Sequence, residues 1–167
     1  LNMHGTYDKR PQLRIGILGG SSLLGEHALP LLAQTGLPTS AFTRSLPKVP
    51  CPGVTWRNAD DWHGLTLDTF LSFAPIWVLP DYLERLASTH VKRVIVLSST
   101  SRFSKQASPD ARERDVAQRL IRAEEQLKQW AVERKIEWVI LRPTMIYGFG
   151  RDKNISQIAR FIRRFGF

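Results

Sequence analysis

A glycine-rich turn between an apolar run and a helical pattern is the feature that most constrains how this chain can fold. Residues 13–18 read LRIGIL, which favours a short buried strand, and GGSSLLG follows at once. Leucine and alanine then recur at three- and four-residue steps up to Gly36, as on the buried face of a helix. Pro30 lies inside this pattern and is expected to bend the helix, because proline has no backbone N–H. Residues 13–36 are thus predicted to form a strand, a tight turn and a helix.

Strand and helix patterns alternate through the rest of the chain. Further strands are predicted over residues 39–43, 54–56, 69–78, 91–97 and 136–141, with 69–78 running into a loop at Pro75. Helices are predicted over residues 81–88, from a Ser108 cap and Pro109 through Trp130, and over about 155–165. This order, joined by right-handed crossovers, predicts an α/β fold: a doubly wound parallel sheet covered on both faces, in three α/β/α layers.

Small and polar residues follow the predicted strands at the point where each strand ends. They occupy residues 19–25, 43–45, 74–75, 98–101 and 143–148. Ligands of doubly wound sheets bind outside the carboxyl ends of the strands, where all of these segments would meet. We therefore expect one shared binding edge.

The glycine turn has the chemistry of a phosphate cradle. Gly19 and Gly25 hold the first and last places of a G-x-x-x-x-x-G spacing, so the chain can turn tightly and the helix can approach the strand. Free N–H groups at the start of the helix would point at a pyrophosphate. The cofactor contacts predicted here are Gly19, Ser21, Ser22, Leu23, Leu24 and Gly25. The alternative is a strand-to-helix turn that binds no ligand.

About 20 residues beyond the turn, a dinucleotide fold normally places an acidic residue on the adenosine ribose. This chain has Thr43, Arg44 and Ser45 there. A guanidinium beside hydroxyl groups favours a ribose 2′-phosphate, so NADP(H) is predicted over NAD(H), with Arg44 and Ser45 as contacts. A solvated surface arginine is the alternative. Asp60 or Asp61 would accept from the adenine amino group, or else would only cap a turn.

The order of these motifs resembles a known family. The glycine turn, Asp60, the FAP segment of residues 73–75, VIVLSSTS of 94–101 and LRPTMIYG of 141–148 are similar to the extended and atypical short-chain dehydrogenases/reductases. Within them, the NAD-dependent epimerase/dehydratase group, many of which act on nucleotide sugars, is the nearest. The resemblance implies an NAD(P)-binding Rossmann domain, a dinucleotide cofactor and a nucleotide-sugar substrate. It adds four cofactor contacts: Ala74, Pro75, Ser98 and Pro143.

The chain departs from this family at its catalytic residues. The family uses a Ser or Thr after the fifth strand, which Thr100 matches, and a Tyr with a Lys four residues later on the following helix. No tyrosine lies between Tyr82 and Tyr147, so the long helix lacks that pair. Tyr147 and Lys105 are the candidates to replace it in an enzyme. The alternative function is a non-catalytic NAD(P)-binding redox sensor or assembly scaffold.

Composition and charge argue against three further kinds of function: nucleic-acid binding, metal binding and a place in the membrane. The 167 residues carry a net charge of +9, but the basic residues are spread along the chain without a nucleic-acid-binding motif, so nucleic acid is not an expected partner. Cys51 is the single cysteine, which precludes a thiolate metal cluster, and no metal site is predicted. No run approaches the ~20 apolar residues of a membrane span, and a cytoplasmic protein is expected.

The predicted domain organisation is simple. A flexible leader is expected over residues 1–12, and an NAD(P)-binding domain over 13–167 that stops before a C-terminal substrate region. The long helix bears a stripe of Leu120, Leu127 and Trp130. This stripe either covers the sheet or pairs with a second copy in a homodimer.

Overall fold

Six parallel strands form one sheet in the computed structural model, which describes residues 12–47, 49–146 and 162–164. The strands are β1 (Ile15–Leu18), β2 (Thr39–Thr43), β3 (Val54–Asn58), β4 (Thr69–Ser72), β5 (Arg93–Leu97) and β6 (Glu137–Leu141). Their order in the sheet is β3-β2-β1-β4-β5-β6, so β2 and β3 lie on one side of β1, and β4 to β6 lie on its other side. The doubly wound parallel fold is thereby confirmed.

Helices cover both faces of this sheet. Alternate residues of a strand point to opposite faces, so Ala41 packs with Leu29 in one apolar cluster while Phe42 packs in the other. The first cluster lies under α1, and the larger second cluster receives α2 and α4. The helices are α1 (Leu23–Gln34), a 3₁₀ helix (Ile76–Tyr82), α2 (Leu83–Ala87), α3 (Ser101–Ser104) and α4 (Ala111–Glu133).

The segment after the fourth strand differs from its prediction. The predicted strand over residues 69–78 ends at Ser72, and residues 76–82 form the 3₁₀ helix. Pro75 precedes that helix with an extended ψ of 131°, and its missing N–H cannot continue a sheet ladder. Apolar residues 76–78 therefore pack as helix rather than as strand.

The start of α4 also differs from its prediction. Asp110, not Ser108, caps the helix, and its Oδ1 accepts from the Arg112 amide at 2.8 Å. The Ser108 hydroxyl instead donates to Glu113 at 2.7 Å. The short helix α3 was not predicted, because its four residues carry no periodic pattern.

The stripe of α4 covers the sheet. Leu120, Leu127 and Trp130 are all at most 5% exposed, so they are not available to a second copy. The expected homodimer therefore gains no support from this stripe. The predicted leader falls outside the described residues except for Gln12, and the predicted last helix is described only at 162–164, where it is helical. Among the described helices, none combines the length and the apolar character needed to cross a bilayer.

Candidate functional site

A groove with a volume of about 530 Å³ opens at the carboxyl ends of β1, β2 and β4, with β2 and β4 on either side of β1. This is the edge that the polar segments predicted, and its volume lies within the range of small-molecule sites, roughly 300–1,000 Å³. The groove is lined by Leu18, Gly19, Ser22, Thr43, Arg44, Phe73, Ala74, Pro75, Val78, Asp81 and Tyr82.

Gly19 allows the floor of the groove to form. Its φ is +82°, in the left-handed region, and a Cβ built on it would stand 2.6 Å from the Ala74 amide nitrogen. The turn after β1 and the loop after β4 therefore meet backbone to backbone. Gly25 allows the first turn of α1 to lie against the turn after β1, because a Cβ there would collide with the carbonyl oxygen of Gly20. Both glycines fill the steric roles that the sequence predicts for them.

The first turn of α1 presents backbone donors beside this floor. The Ser22 hydroxyl caps the helix by accepting from the Gly25 amide at 3.1 Å. The amides of Leu23 and Leu24 have no hydrogen-bond partner within the described part of the chain. Two free N–H groups at the positive end of a 12-residue helix form an arrangement that suits a phosphate group.

Arg44 follows β2 and is an exposed residue that lines the groove. Its guanidinium makes no hydrogen bond or ion pair with any described residue, so it is free to meet an anion. Behind it, Thr43 Oγ1 lies 3.4 Å from Ser21 Oγ and donates to the Ser45 carbonyl at 2.8 Å. These contacts hold the loop after β2 against the glycine turn.

Asp60 lies outside this groove. Its carboxylate accepts from Arg85 at 2.7 Å and lines a neighbouring cleft together with Trp62 and His63. Its amide donates to the Asn58 side chain at 3.0 Å, as in the turn-capping alternative. Asp61 pairs with Arg57 at 3.2 Å. The adenine contact assigned to Asp60 stays a prediction, and its carboxylate is engaged elsewhere.

The wall opposite Arg44 is built by the segment after β4. Ala74 and Pro75 line it as predicted from the resemblance, and Val78, Asp81 and Tyr82 of the 3₁₀ helix continue it. The sequence analysis missed these last three residues. They would have been selected had the helix been recognised, because a helix that directly follows a strand lies beside that strand's carboxyl end.

A buried carboxylate ties together the ends of β5 and β6. Glu124 of α4 is completely buried, accepts from the Ser98 hydroxyl at 2.6 Å, and binds both Arg102 and Arg142. Arg142 makes two contacts with it, of 3.0 and 2.7 Å. The Ser98 hydroxyl, predicted as a cofactor contact, is thus engaged inside the protein.

Opposing effects act on the pKa of Glu124. Burial alone raises it, but the hydrogen bonds from Arg142, Ser98 and Arg102 outweigh burial, so the pKa falls below its usual value and the group stays ionised. The sequence signal for this residue was available: Glu124 lies on the apolar stripe of α4, four residues after Leu120.

The predicted catalytic residues are not gathered into one cluster. Thr100 directly precedes α3, and its amide donates to the Pro143 carbonyl at 3.3 Å, which joins the two predicted segments after β5 and β6. Lys105 directly follows α3, and its ammonium group binds Glu113 at 2.9 Å. Tyr147 lies outside the described residues. The described residues therefore show Thr100 at the binding edge and Lys105 in an ion pair.

Comparison with solved structures places this arrangement among known folds. A UDP-N-acetylglucosamine 4-epimerase from Bacillus cereus superposes with a TM-score of 0.66 at 18% identity, over 91% of this chain and 66% of its own. A UDP-glucuronic acid 4-epimerase from Bacillus cereus, solved in complex with NAD, gives 0.67 at 14% identity, over 91% and 62%. The chain has the fold of an extended short-chain dehydrogenase/reductase. The resemblance in the sequence motifs is confirmed at the level of the fold.

The same fold is shared by an enzyme of a different kind. Vestitone reductase from alfalfa (Medicago sativa) matches with a TM-score of 0.62 at 17% identity, over 77% of this chain and 56% of its own. The chain covers 56% to 66% of the length of these three solved chains, which is less than two thirds of each. No protein-family model matches the sequence, and neither does any curated protein.

Proposed function

We propose that residues 13–167 form the dinucleotide-binding domain of a protein of the nucleotide-sugar epimerase kind, which binds NADP(H) in preference to NAD(H). The observation that carries the proposal is the groove itself. It brings to one edge of the sheet the left-handed Gly19, two amides at the start of α1 and Arg44, and neither the amides nor Arg44 has a partner among the described residues. The fold is shared with a UDP-glucuronic acid 4-epimerase solved with NAD, which supports a nicotinamide dinucleotide as the ligand.

The residues of the groove fit such a ligand. The pyrophosphate would lie at the glycine turn against the amides of Leu23 and Leu24, which have no hydrogen-bond partner among the described residues. Arg44 would hold the 2′-phosphate through paired N–H groups. When bound, the nicotinamide ring would supply hydride transfer to or from a sugar carbon. The segments after β5 and β6, which the hydrogen bond between Thr100 and Pro143 joins, would border the nicotinamide end of the ligand.

Arg44→Asp is expected to reverse the cofactor preference. The exchange removes a charge-assisted contact and places a carboxylate against the 2′-phosphate, so the ratio of NADPH to NADH affinity should fall by about 100-fold, from roughly 1.5–3 kcal/mol for hydrogen bonds to a charged group. Isothermal titration of both dinucleotides measures the ratio. Arg112→Asp makes the same change of net charge at a highly exposed position of α4 and should leave the ratio unchanged. A ratio that moves equally in both variants would contradict the 2′-phosphate assignment.

A non-catalytic NAD(P)-binding sensor or scaffold is the second candidate function. It is favoured by α4, which is described along its whole length and carries no tyrosine, and by Lys105, whose ammonium group is paired with Glu113. Protein loaded with NADP+ and incubated with UDP-glucose or UDP-glucuronic acid distinguishes the two. Sugar epimerisation, or reduction of NADP+ to NADPH coupled to oxidation of a sugar hydroxyl to a ketone, that is lost in Thr100→Ala would establish an enzyme. Tight binding with no turnover would favour the sensor.

A further inference from the structure

A second pocket, called here the α1 pocket, lies between α1 and the segment that joins β2 to β3. Its volume is about 370 Å³, within the range of small-molecule sites. Leu29, which is 1% exposed, belongs to the apolar cluster under α1, whereas Val49 at the rim is 86% exposed. The described lining residues are Gly20, Ser21, Glu26, Leu29, Pro30, Pro47, Val49, Pro50, Cys51, Pro52 and Trp56.

The lining of the α1 pocket is apolar and poor in hydrogen-bond donors. Four of its eleven described residues are prolines, which have no backbone N–H. Glu26 is the one charged side chain among these described residues, and it is acidic. A phosphate or carboxylate would meet few donors there and a group of like charge. The lining therefore suits an uncharged, mainly apolar molecule and disfavours an anion.

Trp56 indicates that this molecule contains a flat ring. The other four of the five tryptophans each contact a ring or a cation: Trp62 stacks on Phe42 with centroids 4.1 Å apart, and Arg119, Arg134 and Lys128 lie over Trp77, Trp130 and Trp138. Trp56 makes no such contact with any described residue. Its Nε1–H is also buried and has no acceptor in the described part of the chain. An aromatic molecule that carries an acceptor would supply both missing partners.

The α1 pocket is separate from the groove. The two have no described lining residue in common, although both reach the glycine turn: Gly19 and Ser22 line the groove, and Gly20 and Ser21 line the α1 pocket. Two molecules could therefore be bound at the same time, one at each pair of turn residues. An occupant of the α1 pocket does not depend on the proposed dinucleotide function.

We propose that the α1 pocket is a second binding site, which takes an uncharged, flat ring compound that carries a hydrogen-bond acceptor. The ring lies against Trp56 and the prolines of the segment between β2 and β3, and the acceptor serves the Trp56 Nε1–H. Because Gly20 and Ser21 form one wall, the bound molecule contacts the two turn residues that the groove does not use.

Protection of Cys51 from alkylation tests this site. Cys51 lines the α1 pocket and is the single cysteine of the chain, so labelling by iodoacetamide, followed by intact-mass spectrometry, reports on this pocket alone. Coumarin is an uncharged flat ring compound with a carbonyl acceptor. At about 5 mM it should slow the labelling about fivefold, as expected for a small ligand with a dissociation constant on the order of 1 mM. Coumarin-3-carboxylate adds a negative charge to the same ring and should slow the labelling less than about twofold.

Two matched variants locate the effect. Val49→Asp places a carboxylate at the exposed rim of the α1 pocket, so the ratio of labelling rates without and with coumarin should fall below about twofold. The ratio cancels any change in the intrinsic reactivity of the thiol. Val132→Asp makes the same exchange at a 68% exposed position of α4, outside the described lining, and should retain the ratio of the wild type.

The remaining outcomes decide against the inference or separate it from the proposed function. Labelling that coumarin does not slow would overturn the inference, as would equal protection by both coumarins or protection that survives Val49→Asp. Saturating NADPH should leave the labelling of Cys51 unchanged. NADPH that protects Cys51 as strongly as coumarin would overturn the inference, because the α1 pocket would then belong to the dinucleotide site. Protection by coumarin in a protein that does not bind NADPH would uphold the second site and overturn only the proposed function.

Discussion

Replacing Glu124 with alanine is expected to lower the free energy of unfolding by about 3–5 kcal/mol, the usual cost of removing one partner from a buried ion pair. Glu124 is completely buried and binds Arg102 and Arg142 together with the Ser98 hydroxyl. Without it, two guanidinium groups of like charge would remain side by side without their shared acceptor. The change should be measured by urea unfolding at neutral pH, where the carboxylate is ionised.

Glu125 supplies the matched control. It is the next residue of the same helix, its side chain is 57% exposed, and its exchange for alanine alters helix propensity equally. It pairs with Lys128 at 3.0 Å at the surface and approaches Arg102 only at 3.6 Å, so its removal should cost far less than removal of Glu124. Similar losses in the two variants would show that the buried network contributes nothing beyond helix packing.

The stability that Glu124 contributes should depend on pH, because the pKa of its carboxyl is lowered in the folded protein. A carboxyl whose pKa is lower in the folded than in the unfolded state stabilises the fold above its ordinary pKa of 4.5, and that stabilisation is lost as pH falls through the folded value. The difference in unfolding free energy between wild type and Glu124→Gln should therefore be constant near neutral pH and shrink below about pH 4.5. A difference that grows on acidification would contradict the direction of the shift.

The succession of strands along the chain and the position of the groove could be predicted from the sequence, because they depend on local patterns. The run before Gly19 and the β-branched segment over residues 91–97 are short and apolar, and each is followed by small or hydroxyl residues. Chain order then places their carboxyl ends at one edge. The shorter bounds seen in the structure, such as Arg93–Leu97 for β5, follow from where ladder pairing begins.

Contacts between distant side chains could not be predicted in the same way. Ser98 and Asp60 were assigned to the cofactor from their places after strands, yet each binds a charged residue 25 or 26 positions further along the chain. Nothing local specifies those partners, since Arg85 and Glu124 approach only through the packing of helices against the sheet. Asp81 was missed for a related reason. Its groove position depends on the 3₁₀ helix, whose apolar start reads as strand.

Gly19→Ala is expected to weaken NADPH binding by at least about 100-fold, which corresponds to roughly 2.8 kcal/mol. The added methyl group would stand 2.6 Å from the Ala74 nitrogen and 2.9 Å from the Phe73 carbonyl carbon. Both contacts are to backbone, so relief requires the turn after β1 and the loop after β4 to separate. That movement opens the floor on which the pyrophosphate is proposed to lie. Isothermal titration with NADPH measures the loss.

Gly36 separates this effect from ordinary backbone strain. It also has a left-handed φ, of +69°, but no atom of the described residues lies within 4 Å of a Cβ built there, and it follows the far end of α1. Gly36→Ala should therefore share the left-handed strain, about 1–2 kcal/mol of unfolding free energy, without losing NADPH affinity. Urea unfolding of both variants establishes that each is folded before titration. A folded Gly19→Ala protein with wild-type affinity would remove the dinucleotide from this groove, because no ligand that lies on Gly19 could tolerate the displaced loop.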